Sequence, residues 1–246
     1  VSSAVDTEMS IFENWQEGGE SPSGFGTFIT GSTSGENGLD ATESGESSMF
    51  TYNSSSQSFE SVTNTIDNDL SIADSYLLLI RGDRNIDLGA SPADDPNETT
   101  LRAKGSLGRG EVTNTNFGAN AGDFGMFGNP YPSAVDMNEV LTNSSNLNTN
   151  YYYVYDPNLA TRGAFVTISL PEGTNTSGSS ANQYLQSGMA AQMTTAADGA
   201  ATIKFNETDK SPGNYESAIK SVSSTNNDGL HIVGQLFTAE SFTSDG

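Results

Sequence analysis

Apolar residues in this chain recur at spacing two or in runs of four to six, each bounded by Gly, Asn, Ser or Asp. Side chains alternate between the two faces of a strand, so this pattern dictates short strands joined by turns, with no sustained helical period. Phe50 and Tyr52 lead into Asn53-Ser54-Ser55-Ser56, and Phe59 and Val62 follow, which predicts a hairpin with a polar loop. The run Tyr76-Leu77-Leu78-Leu79-Ile80 is short and continuous, as expected of a strand buried on both faces. Leu101 and Ala103 alternate with Arg102 and Lys104, so one face there should be wet.

Further strands are expected at Phe124-Gly125-Met126-Phe127, ending before the prolines of Gly128-Asn129-Pro130-Tyr131-Pro132, and at residues 151–155, 164–168, 184–185, 189–193, 203–205 and 230–237. A single short helix is expected near residues 137–141, with Asp136 as its cap and Glu139 placed three residues on, as in a capping box. The fold class that follows is all-β, an antiparallel β-sandwich or jelly-roll-like architecture with long polar loops. Those loops, at 31–48, 90–98, 143–150, 173–182 and 221–229, are rich in Ser, Thr, Asn and Gly. Residues 1–246 read as one all-β unit with an internal boundary near 112–122, where apolar density falls away apart from Phe117.

Composition narrows the partners. Acidic residues number 31 against 9 basic ones, a net charge of −22, which repels nucleic acid phosphates and anionic lipid. The acidity fits either salty surroundings, where screening softens self-repulsion, or carboxylate uptake of Ca²⁺. With no cysteine, disulfides and thiolate metal sites are excluded. Apolar runs fall far short of the roughly 20 residues of a membrane span, so direct membrane insertion is not expected. The first residue is Val, as expected of a fragment of a larger chain.

Several segments, taken in order, carry a family likeness: Asn14-Trp15-Gln16-Glu17-Gly18-Gly19, Gly24-Phe25-Gly26, Phe50-Thr51-Tyr52-Asn53, Leu79-Ile80-Arg81-Gly82-Asp83-Arg84, Gly128-Asn129-Pro130-Tyr131-Pro132-Ser133, Tyr153-Val154-Tyr155-Asp156-Pro157 and Gln186-Ser187-Gly188. Over residues 11–242 the chain resembles the region that precedes the C-terminal sorting domain in large type IX-secreted surface proteins of Bacteroidota. The resemblance implies an extracellular, cell-surface location and an adhesin-like or filament-forming role, and it brings no catalytic residues with it. The sorting domain expected after Gly246 is not part of this sequence.

Candidate chemistry is sparse. His231 is the only histidine and heads an expected strand, with no second His or Cys to complete a metal set. Gly31-Ser32-Thr33-Ser34-Gly35 has Thr where a nucleophile elbow needs Ser at its centre. A glycosidase needs two carboxylates at a set separation, and no pair stands out among the 31. Arg81-Gly82-Asp83 reads first as a turn, in which the acid bonds its own backbone. Asp94, Asp95, Asn97 and Glu98 crowd oxygen ligands into one loop and are the leading Ca²⁺ candidates, with Asp67-Asn68-Asp69 second; the plainer reading is a solvated acidic loop. Tyr151, Tyr152, Tyr153 and Tyr155 place aromatics on both faces of one strand, available to an interface or a sugar ring if one face is not covered.

These observations favour a non-catalytic structural or adhesive module, assembling with other parts of its parent protein or with copies of itself. The alternative is a carbohydrate-binding module of a secreted glycoside hydrolase, with surface glycans as partners. An enzyme in its own right comes third.

Overall fold

A computed structural model describes residues 1–19, 26–88, 94–160 and 163–211. His231 and the expected strand at 230–237 lie outside the described residues. The strands of the first half are β1 (Val5–Asp6), β2 (Thr30–Ser32), β3 (Asp40–Ala41), β4 (Met49–Asn53), β5 (Ser58–Ser61), β6 (Leu77–Leu78) and β7 (Ser106–Leu107). Those of the second half are β8 (Val112–Asn114), β9 (Phe124–Gly128), β10 (Val135–Asp136), β11 (Tyr151–Asp156), β12 (Ala164–Ser169), β13 (Tyr184–Leu185), β14 (Ala190–Thr194) and β15 (Ile203–Phe205). The longer of the two α-helices among the described residues, α2 (Met137–Thr142), has six residues. The all-β class therefore holds, and among the described residues every strand pair but β2–β3 is antiparallel.

The hairpin at residues 49–61 forms in the register that its alternation predicts, with Tyr52 opposite Phe59 and their rings edge to face at 5.3 Å. Its loop turns on Asn53, whose Oδ1 accepts from the Ser55 and Ser56 N–H groups. The run at 76–80 differs from expectation. Only Leu77 and Leu78 pair, on the edge of β4, and Leu79 is 55% exposed. Continuous hydrophobicity there reflects a strand at a sheet edge, with Tyr76 alone fully buried beside Trp15, ring centroids 5.4 Å apart.

Helix α2 starts as its sequence requires, with the Asp136 carboxylate accepting from the Asn138 N–H at 2.9 Å. Six residues cannot hold a helix by themselves. Met137, Val140 and Leu141 anchor it by burial, each contributing on the order of 1.5–3 kcal/mol. The reciprocal capping box forms instead at α1 (Ile11–Asn14), where Ser10 Oγ accepts the Glu13 N–H and Glu13 Oε2 accepts the Ser10 N–H.

Two apolar clusters organise the described residues. Ile11, Trp15, Ile29, Leu39, Met49, Val62, Leu70 and Tyr76 form the first, with Leu101 and Ala103 packed against it as their alternation predicts. The second runs from Val112 to Phe205 and also takes in Ala73. Val112 and Phe117, within the expected boundary at 112–122, both belong to this second cluster. Its frame is a four-stranded sheet in the order β12-β11-β14-β9. Val154 of β11, Val166 and Ile168 of β12, Ala191 and Met193 of β14 and Phe127 of β9 fill its inner side.

The two halves are stitched by the start of the chain. Ser2 donates its N–H to the Gly188 carbonyl at 3.0 Å and its Oγ–H to the Met189 carbonyl at 2.8 Å. The Val1 amine bonds the Tyr76 carbonyl at 2.8 Å, and the Gly128 N–H reaches the Ala73 carbonyl.

Candidate functional site

Strand β11 sorts its tyrosines by parity. Tyr152 points inward, is 1% exposed and donates its hydroxyl to the Asn182 carbonyl. Burial holds its phenol well above the ordinary tyrosine range. Tyr151, Tyr153 and Tyr155 point outward, joined on that face by Phe165, Thr167 and Ser169 of β12. Tyr151 is 41% and Phe165 42% exposed, while Tyr153 and Tyr155 are half-buried. Tyr153 packs edge to face on Phe124 of β9 at 5.5 Å, and Tyr155 does the same on its cross-strand partner Phe165 at 5.3 Å. Gly163, at φ +78°, makes room for this: a Cβ there would lie 2.4 Å from the Tyr155 hydroxyl.

The six outward positions of β11 and β12 carry no charge, in a chain whose net charge is −22. Rings inclined at 74° cannot both offer their faces to one flat ligand, so the Tyr155–Phe165 pair is shaped for interlocking with side chains more than for stacking a sugar. Sequence parity alone brings these residues together. The contribution of Phe124 was not readable, because β14 and β11 separate it from Phe165 in the sheet.

The acidic loop takes a different form. Asp94 Oδ2 accepts the Asp87 N–H at 2.8 Å, and the Asp94 N–H returns to the Asp87 carbonyl. Asn97 spends its carboxamide on Asp83, accepting from the backbone N–H at 2.7 Å and donating to Oδ1 at 2.8 Å. Asp94, Asp95, Asn97 and Glu98 all stand exposed. Among the described residues, no three His, Cys, Asp or Glu side chains converge as a metal site would require. The second candidate, Asp67, takes a hydrogen bond from Asn64 Nδ2. The Asp83 carboxylate of the Arg81-Gly82-Asp83 turn accepts from Asn85 and Asn97, so the turn holds its own acid.

Four polar side chains from the sequence motifs, Asn14, Gln16, Asn129 and Tyr131, are spent on the scaffold. Asn129, 0% exposed, accepts from the Tyr131 N–H and donates to the Ser133 and Leu185 carbonyls. Tyr131 donates to the Gly110 carbonyl at 2.5 Å, with the Lys210 ammonium 4.3 Å over its ring. Asn14 accepts from the Lys104 N–H, and Gln16 donates to Asp40 and to the Gly38 carbonyl. Asp40 itself, buried and paired with Arg84 at 2.7 Å, carried no local sequence signal, since its partners lie 11 to 44 residues away. Set against protein-family models, curated proteins and solved structures, the chain gives no match.

Proposed function

We propose that this chain is a non-catalytic structural or adhesive module of a large secreted, extracellular cell-surface protein, meeting other parts of that protein or copies of itself. The observation that carries the reading is the uncharged aromatic face of β11 and β12 on an otherwise strongly acidic chain. Charge depletion with exposed aromatic side chains is the composition of an interface centre. The commitment of Asn14, Asn129 and Tyr131 to scaffold bonds supports it further, because those groups are then not left over for chemistry.

Carbohydrate binding is the second reading, favoured by the exposed ring of Tyr151. Sizing by light scattering over a wide concentration range, beside retention on immobilised polysaccharides, separates the two. Self-association without retention is expected. Polysaccharide retention abolished by Tyr151→Ala, in a chain that stays monomeric, would overturn the assembly reading.

A further inference from the structure

The two edges of the four-stranded sheet are treated differently. At the β9 edge, the outward Phe124 N–H is taken by Gln57 Oε1 at 2.7 Å, and its carbonyl accepts from Gln57 Nε2 and the Gly118 N–H. The Gly128 N–H is taken by Ala73. That edge is sealed.

The β12 edge is not, among the described residues. The Leu170 N–H bonds the Asn150 carbonyl, which fixes the alternation of the ladder. Residues 164, 166 and 168 then bond β11, and residues 165, 167 and 169 turn their N–H and C=O outward. Ser169 is covered by the following turn, donating to the Thr174 carbonyl and accepting from the Gly173 and Thr174 N–H groups. Phe165 and Thr167 have no such partner among the described residues, and both side chains are exposed. Strand edges of this kind are ordinarily blunted by a charge, a proline or a bulge. Strand β12, Ala-Phe-Val-Thr-Ile-Ser, carries neither a charge nor a proline and runs in unbroken register along β11.

We propose that the β12 edge pairs with the β12 edge of a second copy of this chain, in antiparallel fashion about a two-fold axis at Val166. This names the partner and surface of the assembly reading above and rests on it. Phe165 then faces Thr167 of the other copy, and the reverse, giving two hydrogen-bonded residue pairs and one continuous eight-stranded sheet. Charge selects the occupant. Copies at −22 repel wherever their acidic surfaces meet, and these uncharged outward positions let two of them approach without opposing carboxylates. A cationic partner would find nothing to pair with there.

The experiment is sedimentation of the full chain over a concentration series, with hydrogen exchange read at the Phe165 and Thr167 amides. The parent chain should dimerise, with protection at both amides rising with concentration. Added salt should strengthen the dimer by screening the net charge. Thr167→Pro deletes an outward donor and no bond to β11, and should weaken dimerisation at least about tenfold, while Thr167→Val keeps the donor and the dimer. Thr167→Lys provides a second, proline-free disruption. A dimer that survives both Pro and Lys would overturn the edge proposal and leave the assembly reading standing. A chain monomeric throughout with unprotected amides would overturn the edge proposal and, with it, the self-association half of the assembly reading, leaving contact with other parts of the parent protein. A monomer already protected at both amides would show the edge covered from within its own chain, which also overturns the proposal.

Discussion

The carboxamide of Asn129 donates 2.9 Å to the carbonyl of Leu185, a residue 56 positions away, and so fastens the turn after β9 to strand β13. The same side chain satisfies the Ser133 carbonyl and the Tyr131 N–H. Asn129→Ala strands three polar groups at a site with no exposure, and is expected to cost about 3 kcal/mol in urea unfolding. Asn129→Asp keeps the acceptor but loses both donations, so it should cost a similar amount.

Gly128, one residue earlier, has no space for a side chain. A Cβ there would sit 2.3 Å from Ser2 Cβ and 2.6 Å from the Asp74 carbonyl. Gly128→Ala should cost about 3 kcal/mol or more, by prising Ser2 off the seam between the two halves. Gly122→Ala is the control: with φ at +85° and nothing within 4 Å, only backbone strain remains, about 1 kcal/mol. Thermal melts of the two variants would rank them.

The ion pair of Asp40 and Arg84 sits where Asp40 also accepts from the Ile29 N–H and Gln16. Arg84→Ala leaves a buried carboxylate short of its cation, though Arg84 itself is 23% exposed and partly screened. A loss of about 2 kcal/mol is expected. Asp40→Ala should cost more, because the Ile29 N–H loses its only acceptor in this network.

Alkaline stability should report on Tyr131. Burial first, then the Glu207, Asp209 and Glu111 carboxylates, push its phenol up to about 12. The unfolded chain ionises this residue near pH 10, so it releases its proton before the folded one does. The stabilisation is therefore complete below pH 10 and drains away as pH rises from 10 through 12. Tyr131→Phe loses the hydrogen bond to Gly110, about 1 kcal/mol near neutrality, but is spared that loss. Unfolding curves at pH 8 and pH 11.5 should show the gap between parent and variant narrowing.

Much of this was readable from local pattern. Tyr152 against Tyr151, Tyr153 and Tyr155 is a matter of parity, and the hairpin around Asn53 follows from its turn chemistry. The Ser10-to-Glu13 capping box was also present in the sequence, as Ser-Ile-Phe-Glu, but its helix is a single turn, too short to show a period. The run at 76–80 misled because hydrophobicity does not distinguish a central strand from an edge. What sequence could not convey is pairing at a distance: β14 enters between β11 and β9, and that insertion makes β9 and β12 the outer strands of the sheet among the described residues. The acidic loop shows the same limit, since whether Asp94 serves a ligand or the Asp87 backbone depends on how the loop folds back.

Ser2 meets Met189 across 187 residues. During synthesis the amino end emerges first, and it must wait for nearly the whole described chain before its partner exists. Contacts of such long sequence separation make for slow folding, because loop closure must come before any reward. A nascent chain stopped short of Gly188 would hold Ser2 without its acceptors and the first apolar cluster without its seam. Completion of the fold is thus tied to translation past that point, and an elongating chain has its greatest need of protection from aggregation just before it.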